Sequence, residues 1–224
     1  MTTAFDTLTT ILAARHSCRG FLPDPVGEEV IARIVRAAGR APSWCNAQPW
    51  QVTVTRGTET ERFRAALLDA VRTDRPQPDL PWPERYPGAH GARRRECGLQ
   101  LYEAVGIARE DRAARAEQSM ENYRLFGAPH VAIVHSEAAL GPYGAMDTGG
   151  FVTAFMLAAT ALGVGSIAQA SVAAYAPMIR AHFDLPDTRL ILCAISFGLP
   201  DPDHPANRFR TTRADLGEVL DLRG

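Results

Sequence analysis

Apolar residues recur at helical spacing near the start of the chain: Phe5, Leu8, Ile11 and Leu12 form one stripe and predict a helix over 4–15. A second stripe, Val30, Ile31, Ile34 and Val35, predicts a helix over 28–39, with Gly39 near its end. Between them, Phe21-Leu22-Pro23-Asp24-Pro25 is an extended connector, because each proline keeps its predecessor out of helical geometry. The period then changes to two. Trp50, Val52 and Val54 alternate with Gln51, Thr53 and Thr55, the pattern of a half-buried strand over 50–55. Helical patterns return over 59–72, 93–106 and 110–124, and short apolar runs at 131–135 and 190–197 predict two more strands, the second ending at Gly198-Leu199-Pro200. No internal repeat or low-complexity tract interrupts this order. Strands separated by helices predict an α+β sandwich, a central mixed sheet flanked by helices, as one domain over 1–224.

One stretch departs from amphipathic patterning, for no charged residue lies between Asp147 and Arg180. The segment 148–162 makes a helix of about 15 residues, roughly 22 Å long, before Gly163 and Gly165 break it, which is too short to span a bilayer. A helix apolar all round in a water-soluble chain belongs in a core or a subunit interface. The segment 73–91 departs in the opposite sense. It holds Pro76, Pro78, Pro81, Pro83 and Pro87 with Trp82 and Tyr86, and marks a lid or substrate excursion at about 73–126, with a passive surface loop as the alternative.

Composition narrows the partners. Twenty-four basic and 25 acidic residues leave a formal charge of -1, so neither nucleic acid nor an anionic membrane is the expected partner. Cys18, Cys45, Cys97 and Cys193 show no C-x-x-C spacing, which argues against a zinc site or a disulfide scaffold and fits a reducing cytoplasm. Residues 1–10 lack the pattern of a secretory signal. His90, His130, His135, His182 and His204 lack H-x-x-x-H or H-E-x-x-H spacing, so no metal is expected. No G-x-S-x-G elbow supports a hydrolase, and no G-x-G-x-x-G follows a strand and opens a helix, so a dedicated dinucleotide fold is not expected either.

Two motifs carry chemistry. Arg15-His16-Ser17-Cys18-Arg19 concentrates guanidiniums, a hydroxyl and an imidazole at a helix end, a donor set suited to phosphate. Pro42-Ser43-Trp44-Cys45-Asn46-Ala47-Gln48-Pro49-Trp50 offers a turn with free backbone donors, amide side chains and aromatic cover, which suits a flat polar heterocycle. Together, in this order, R-H-S-x-R and P-S-x-x-N-x-Q-P-W resemble the FMN-dependent nitroreductase family, and further similarity reaches residue 213.

That resemblance implies the nitroreductase fold and an intertwined homodimer with two shared FMN sites. It assigns the phosphate to Arg15, Ser17 and Arg19, with His16 near the ribityl chain and Arg213 completing the cradle, Arg208 and Arg210 being rivals for that last place. Pro42, Ser43, Trp44 and Asn46 are expected to reach the partner's flavin; Gln48 and Trp50 secure the turn, Trp44 having plain core packing as its alternative. Cys45 has no basic neighbour and receives no nucleophilic role. Ala168, Gln169 and Ala170, in the loop from Leu162 to Ser171, are expected at the N5 edge of the ring, a glycine-broken helix end being the plainer reading of the same residues.

The implied activity is ping-pong. NADH or NADPH reduces the flavin at N5 and leaves, and a nitroaromatic or quinone-like acceptor then takes its position, with no side chain acting as acid or base. Tyr86, Arg93, Tyr102, Tyr123 and Phe126 are the candidates for lining the acceptor slot, with Arg93 able to meet a carboxylate, and Asn122 or Arg124 for touching the pyrimidine edge. A flavin-dependent dehalogenase, a flavin-cleaving relative and a non-catalytic FMN-binding protein are the alternatives.

Overall fold

A computed structural model describes residues 2–224. Helix α1 (Ala4–Ala14) starts at a capping box: the Thr3 hydroxyl accepts from the Asp6 backbone N–H, and the Asp6 carboxylate accepts from the Thr3 N–H. Its apolar stripe is in place but none of its residues is buried within the chain. Helix α2 (Glu28–Ala38) turns Ile34 and Ala38 fully inward. Strand β1 (Trp50–Val54), helix α3 (Thr58–Thr73), helix α4 (Gly88–Ala104) and helix α5 (Arg112–Met120) follow. Strand β2 (His130–Glu137), helix α6 (Gly141–Ala161), strand β3 (Gly165–Gln169), helix α7 (Ala176–His182) and strand β4 (Arg189–Gly198) complete the order.

The four strands lie in the order β1-β2-β4-β3, with β1 and β3 at the edges. The sheet was expected to be mixed, yet every strand pairing is antiparallel, and the parallel component is one bridge between Ser17 and Ser166. Strand β2 is covered on both faces. Val131 and Ile133 join Phe63, Leu67 and Ile179 of α3 and α7, while Ala132 and Val134 join Ile34, Phe151 and Phe155 of α2 and α6. This double cover explains its unbroken apolar run. A register shift between Val134 and His135 lets β4 serve the same two layers.

Helix α6 begins at Gly141, seven residues before the expected start, and Gly144, Thr148, Phe151, Phe155 and Ala159 form its buried face. Among the described residues, no helix is long and apolar enough to cross a membrane. Helix α4 likewise begins at Gly88, not 93, so the proline-rich excursion is shorter than expected. The expected loop over 162–171 contains β3, an extended edge rather than a broken helix end.

Candidate functional site

Arg15 ends α1 by leaving helical geometry, at ψ 125°, and the next residues run extended beside β3. The Cys18 N–H donates to the Ser166 carbonyl at 3.1 Å. The two-residue period of extended chain turns Ser17 and Arg19 into a cavity and Cys18 into the interior, fully buried. The opposite wall comes from the C-terminal segment. Asn207 holds the two together: its Oδ1 accepts from the Arg19 N–H at 2.7 Å, and its Nδ2 donates to the carbonyls of Gly20 and Asp201, each at 2.9 Å. A side chain at Gly20 would sit 2.1 Å from the His204 ring, so only glycine permits this close approach.

The resulting cavity of about 300 Å³ is lined by Arg15, His16, Ser17, Arg19, Arg210 and Arg213, with Leu12 and Phe209 as apolar wall. Among the described residues, none of these four guanidiniums pairs with a carboxylate. Burial pushes the Arg19 pKa down, and burial followed by the nearby Arg213 does the same to Arg15. The His16 pKa is lowered first by burial and then by Arg210, Arg15 and Arg19, against the opposing pull of the Ala14 carbonyl at 3.0 Å. A half-buried cluster of one sign, furnished with donors and lacking acceptors of charge, fits a bound anion such as a phosphate. The Arg19 guanidinium also lies 5.7 Å from the Phe209 ring. Of the three rival C-terminal arginines, Arg210 and Arg213 line the cavity, whereas Arg208 donates to the Asp203 carbonyl outside it.

Strand β3 continues from this cradle. The outer edge of Ser166 is taken by Cys18, and strand alternation gives the Ala168 N–H and carbonyl the same outward direction. Ala168 and Ala170 are exposed. The Gln169 side chain is not: it accepts from Ser196 Oγ at 2.5 Å and donates to the Asn122 carbonyl at 2.7 Å, so its polar groups are consumed internally. The Asn122 backbone carbonyl thereby meets the buried Gln169 side chain, while Arg124 is engaged by Glu121 and Glu117 at 2.6 and 2.5 Å.

The second motif forms a strained turn. Cys45, Asn46 and Gln48 all adopt positive φ, which non-glycine residues keep only when their surroundings impose it. Ser43 Oγ accepts from the Gln48 N–H at 2.9 Å, and Asp147 of α6 accepts from the Trp44 N–H at 2.9 Å. Trp44 remains 61% exposed, edge-on to Tyr143 at 4.6 Å, so core packing is not its role within the chain. Trp50 stacks on Phe151 at 5.5 Å and anchors the end of the turn. No residue of the turn lines the cradle.

The five residues expected around an acceptor separate into four places. Tyr86 and Tyr102 line a groove beside α4, and Arg93 pairs with Glu218 of the C-terminal segment at 2.8 Å. Tyr123 packs edge-on against Tyr175 at 5.7 Å on the α3–α7 side of the core. Phe126, 6% exposed and at positive φ, is an interior residue of its own chain. Asn207 and Asp147, which secure the cradle and the turn, carried no local sequence signal because their partners are remote in the chain.

Known proteins resemble this chain over nearly its whole length. The Nitroreductase family model matches residues 12–199. Nitroreductase NfnB of Mycolicibacterium smegmatis is 36% identical over 93% of this chain and 89% of its own length, and 4-nitrobenzoate reductase of Pseudomonas putida is 30% identical over 93% and 92%. The crystal structure of the FMN-dependent nitroreductase NfnB from Mycobacterium smegmatis in complex with NADPH superimposes with a TM-score of 0.93, at 34% identity, over 98% of this chain and all of that one. The chain belongs to the nitroreductase family.

Proposed function

We propose that this protein is an FMN-dependent NAD(P)H oxidoreductase that reduces nitroaromatic acceptors. Membership of the family and its likeness to nitroreductases over nearly its whole length support the activity. The single observation that carries the cofactor is the cavity in which Arg15, Arg19, Arg210 and Arg213 converge without a carboxylate. These residues, with Ser17, hold the FMN phosphate. Exposed backbone at Ala168 and Ala170 orients the reactive edge of the ring, and Gln169 braces that strand from behind. Bound FMN supplies two-electron carriage between a nicotinamide donor and an acceptor that occupy one position in turn.

The turn from Pro42 to Asn46 has no place at the cradle of its own chain, which favours a homodimer in which Ser43, Trp44 and Asn46 cover the partner's flavin and exclude water. The unburied stripe of α1 supports the same assembly. Four free cysteines fit a cytoplasmic setting. We read 1–224 as one domain. The test is direct: purified protein is expected to be yellow, and its flavin absorbance to bleach on anaerobic addition of NADPH or NADH and return with a nitroaromatic. Flavin that stays oxidised with either nucleotide would make this a binding protein, and a colourless protein that takes up no FMN would end the reading.

A further inference from the structure

A second basic site lies beside the phosphate cradle. The groove between the proline-rich excursion and α4, about 700 Å³, is lined by Arg85, Arg94, Arg95 and Arg115 with Tyr86 and Tyr102. One carboxylate, Glu84, faces the four guanidiniums, and among the described residues none of the four forms an ion pair. Two of them lie over the tyrosine rings, Arg94 at 5.2 Å from Tyr86 and Arg115 at 4.7 Å from Tyr102. Flat cationic and aromatic surfaces side by side are the chemistry that stacks a nucleobase, and unpaired guanidinium forks are the chemistry that takes a phosphate dianion.

We propose that this groove binds the adenosine end of the nicotinamide donor and selects NADPH over NADH through its 2′-phosphate. The inference rests on the proposed oxidation of a nicotinamide nucleotide. Position argues for the donor's far end. Cys97 of α4 lines both the groove and the cradle, so the groove adjoins the phosphate end of the flavin, and no residue of β3 reaches it. A small acceptor such as a nitrobenzoate is one ring long, and the groove shares no lining residue with β3. A dinucleotide is several rings longer and suits two separate places. The volume points the same way, because the groove is of the size that encloses a ligand as large as a nucleotide. Tyr86 and Tyr102, expected along the acceptor slot, become donor-binding residues.

The FMN-loaded protein is to be titrated calorimetrically with adenosine 2′,5′-bisphosphate and with adenosine 5′-monophosphate, in the wild type and in an Arg94→Ala, Arg95→Ala double variant. The wild type is expected to bind the bisphosphate at least tenfold more tightly, and the double variant to lose that preference while retaining its flavin. The ratio of kcat/KM for NADPH to that for NADH is expected to fall at least tenfold in parallel. Equal affinity of the wild type for the two nucleotides overturns the proposal. So does a variant whose NADPH preference is intact but whose preference for 4-nitrobenzoate over nitrobenzene is lost, which would give the groove to the acceptor. A protein that keeps the 2′-phosphate preference yet oxidises neither nucleotide upholds the groove and refutes the proposed activity instead.

Discussion

Arg19 shows how one side chain and its own backbone do separate work. Its N–H is held by Asn207 at 2.7 Å, which fixes the loop, while its guanidinium faces the cavity. Arg19→Ala therefore keeps the loop and removes the charged donor, and FMN affinity is expected to weaken by about 1.5–3 kcal/mol, the scale of a charged hydrogen bond. Fluorescence titration of the FMN-free protein reads this directly, and unchanged affinity refutes the phosphate role. The arginine pair was legible because its chemistry is contained in five consecutive residues. Asn207 was not, since its partner lies 188 positions away and asparagine in a polar tail looks like any surface residue. His130 makes a different residue-scale prediction. Its Nε2 accepts from the Val26 N–H at 2.9 Å, so Nδ1 carries the proton and donates to the Thr55 carbonyl at 3.0 Å, and the buried ring is neutral. Burial, then Arg56, hold its pKa below the ordinary value, and His16 and His135 are shifted the same way, chiefly by burial. The unfolded chain binds these protons more readily, so stability is whole above about pH 6.5, the ordinary histidine value, and is lost as pH falls through the folded pKa values. The urea midpoint of the FMN-free protein is expected to drop between about pH 7.5 and 5.5; a midpoint that is flat or rises on acidification contradicts this balance.

At the scale of elements, those that carry their own period were readable and those that borrow order from neighbours were not. Helix α2 ends within a residue of expectation because Ile34 and Ala38 complete an apolar face against the sheet. Strand β3 went unread because Gly165-Ser166-Ile167-Ala168-Gln169 contains one large apolar residue; the ladder from β4 and the bridge to Ser17 make it a strand. The first turns of α4, Gly88-Ala89-His90-Gly91-Ala92, have no apolar stripe to announce them. The turn after α5 is a different case. Aromatic residues there suggested a substrate slot, yet the chain reverses at Leu125 and Phe126, both at positive φ, and carries both inward. Phe126→Ala should then act as a core truncation, destabilising the protein by about 3–5 kcal/mol in urea denaturation while leaving the acceptor KM of the folded enzyme unchanged. A raised KM with undiminished stability would return Phe126 to the slot.

In the whole molecule, the two ends of the chain are the parts least satisfied by their own fold. Phe5 is 72% exposed, Val219 76% and Leu222 84%, in a protein whose sheet is covered on both faces. Apolar exposure at both ends of one chain marks surfaces made for association. The same ends build the cradle, since Leu12 and Arg15 come from or follow α1, and Phe209 to Arg213 lead into the C-terminal segment. In the proposed dimer, assembly and FMN binding are therefore expected to be thermodynamically linked. Phe5→Glu with Leu8→Glu puts charge on the α1 stripe without touching the cradle lining. Sedimentation is expected to show a wild-type dimer and a largely monomeric variant, with loss of bound flavin and of NADPH oxidation in proportion to the monomer. Arg19→Ala supplies the contrast: its α1 stripe is intact, so it should lose flavin while its dimer weakens only by the share that bound FMN contributes. A wild type that is monomeric and fully loaded with active FMN would show that each chain completes its own site, and the shared assembly would have to be abandoned.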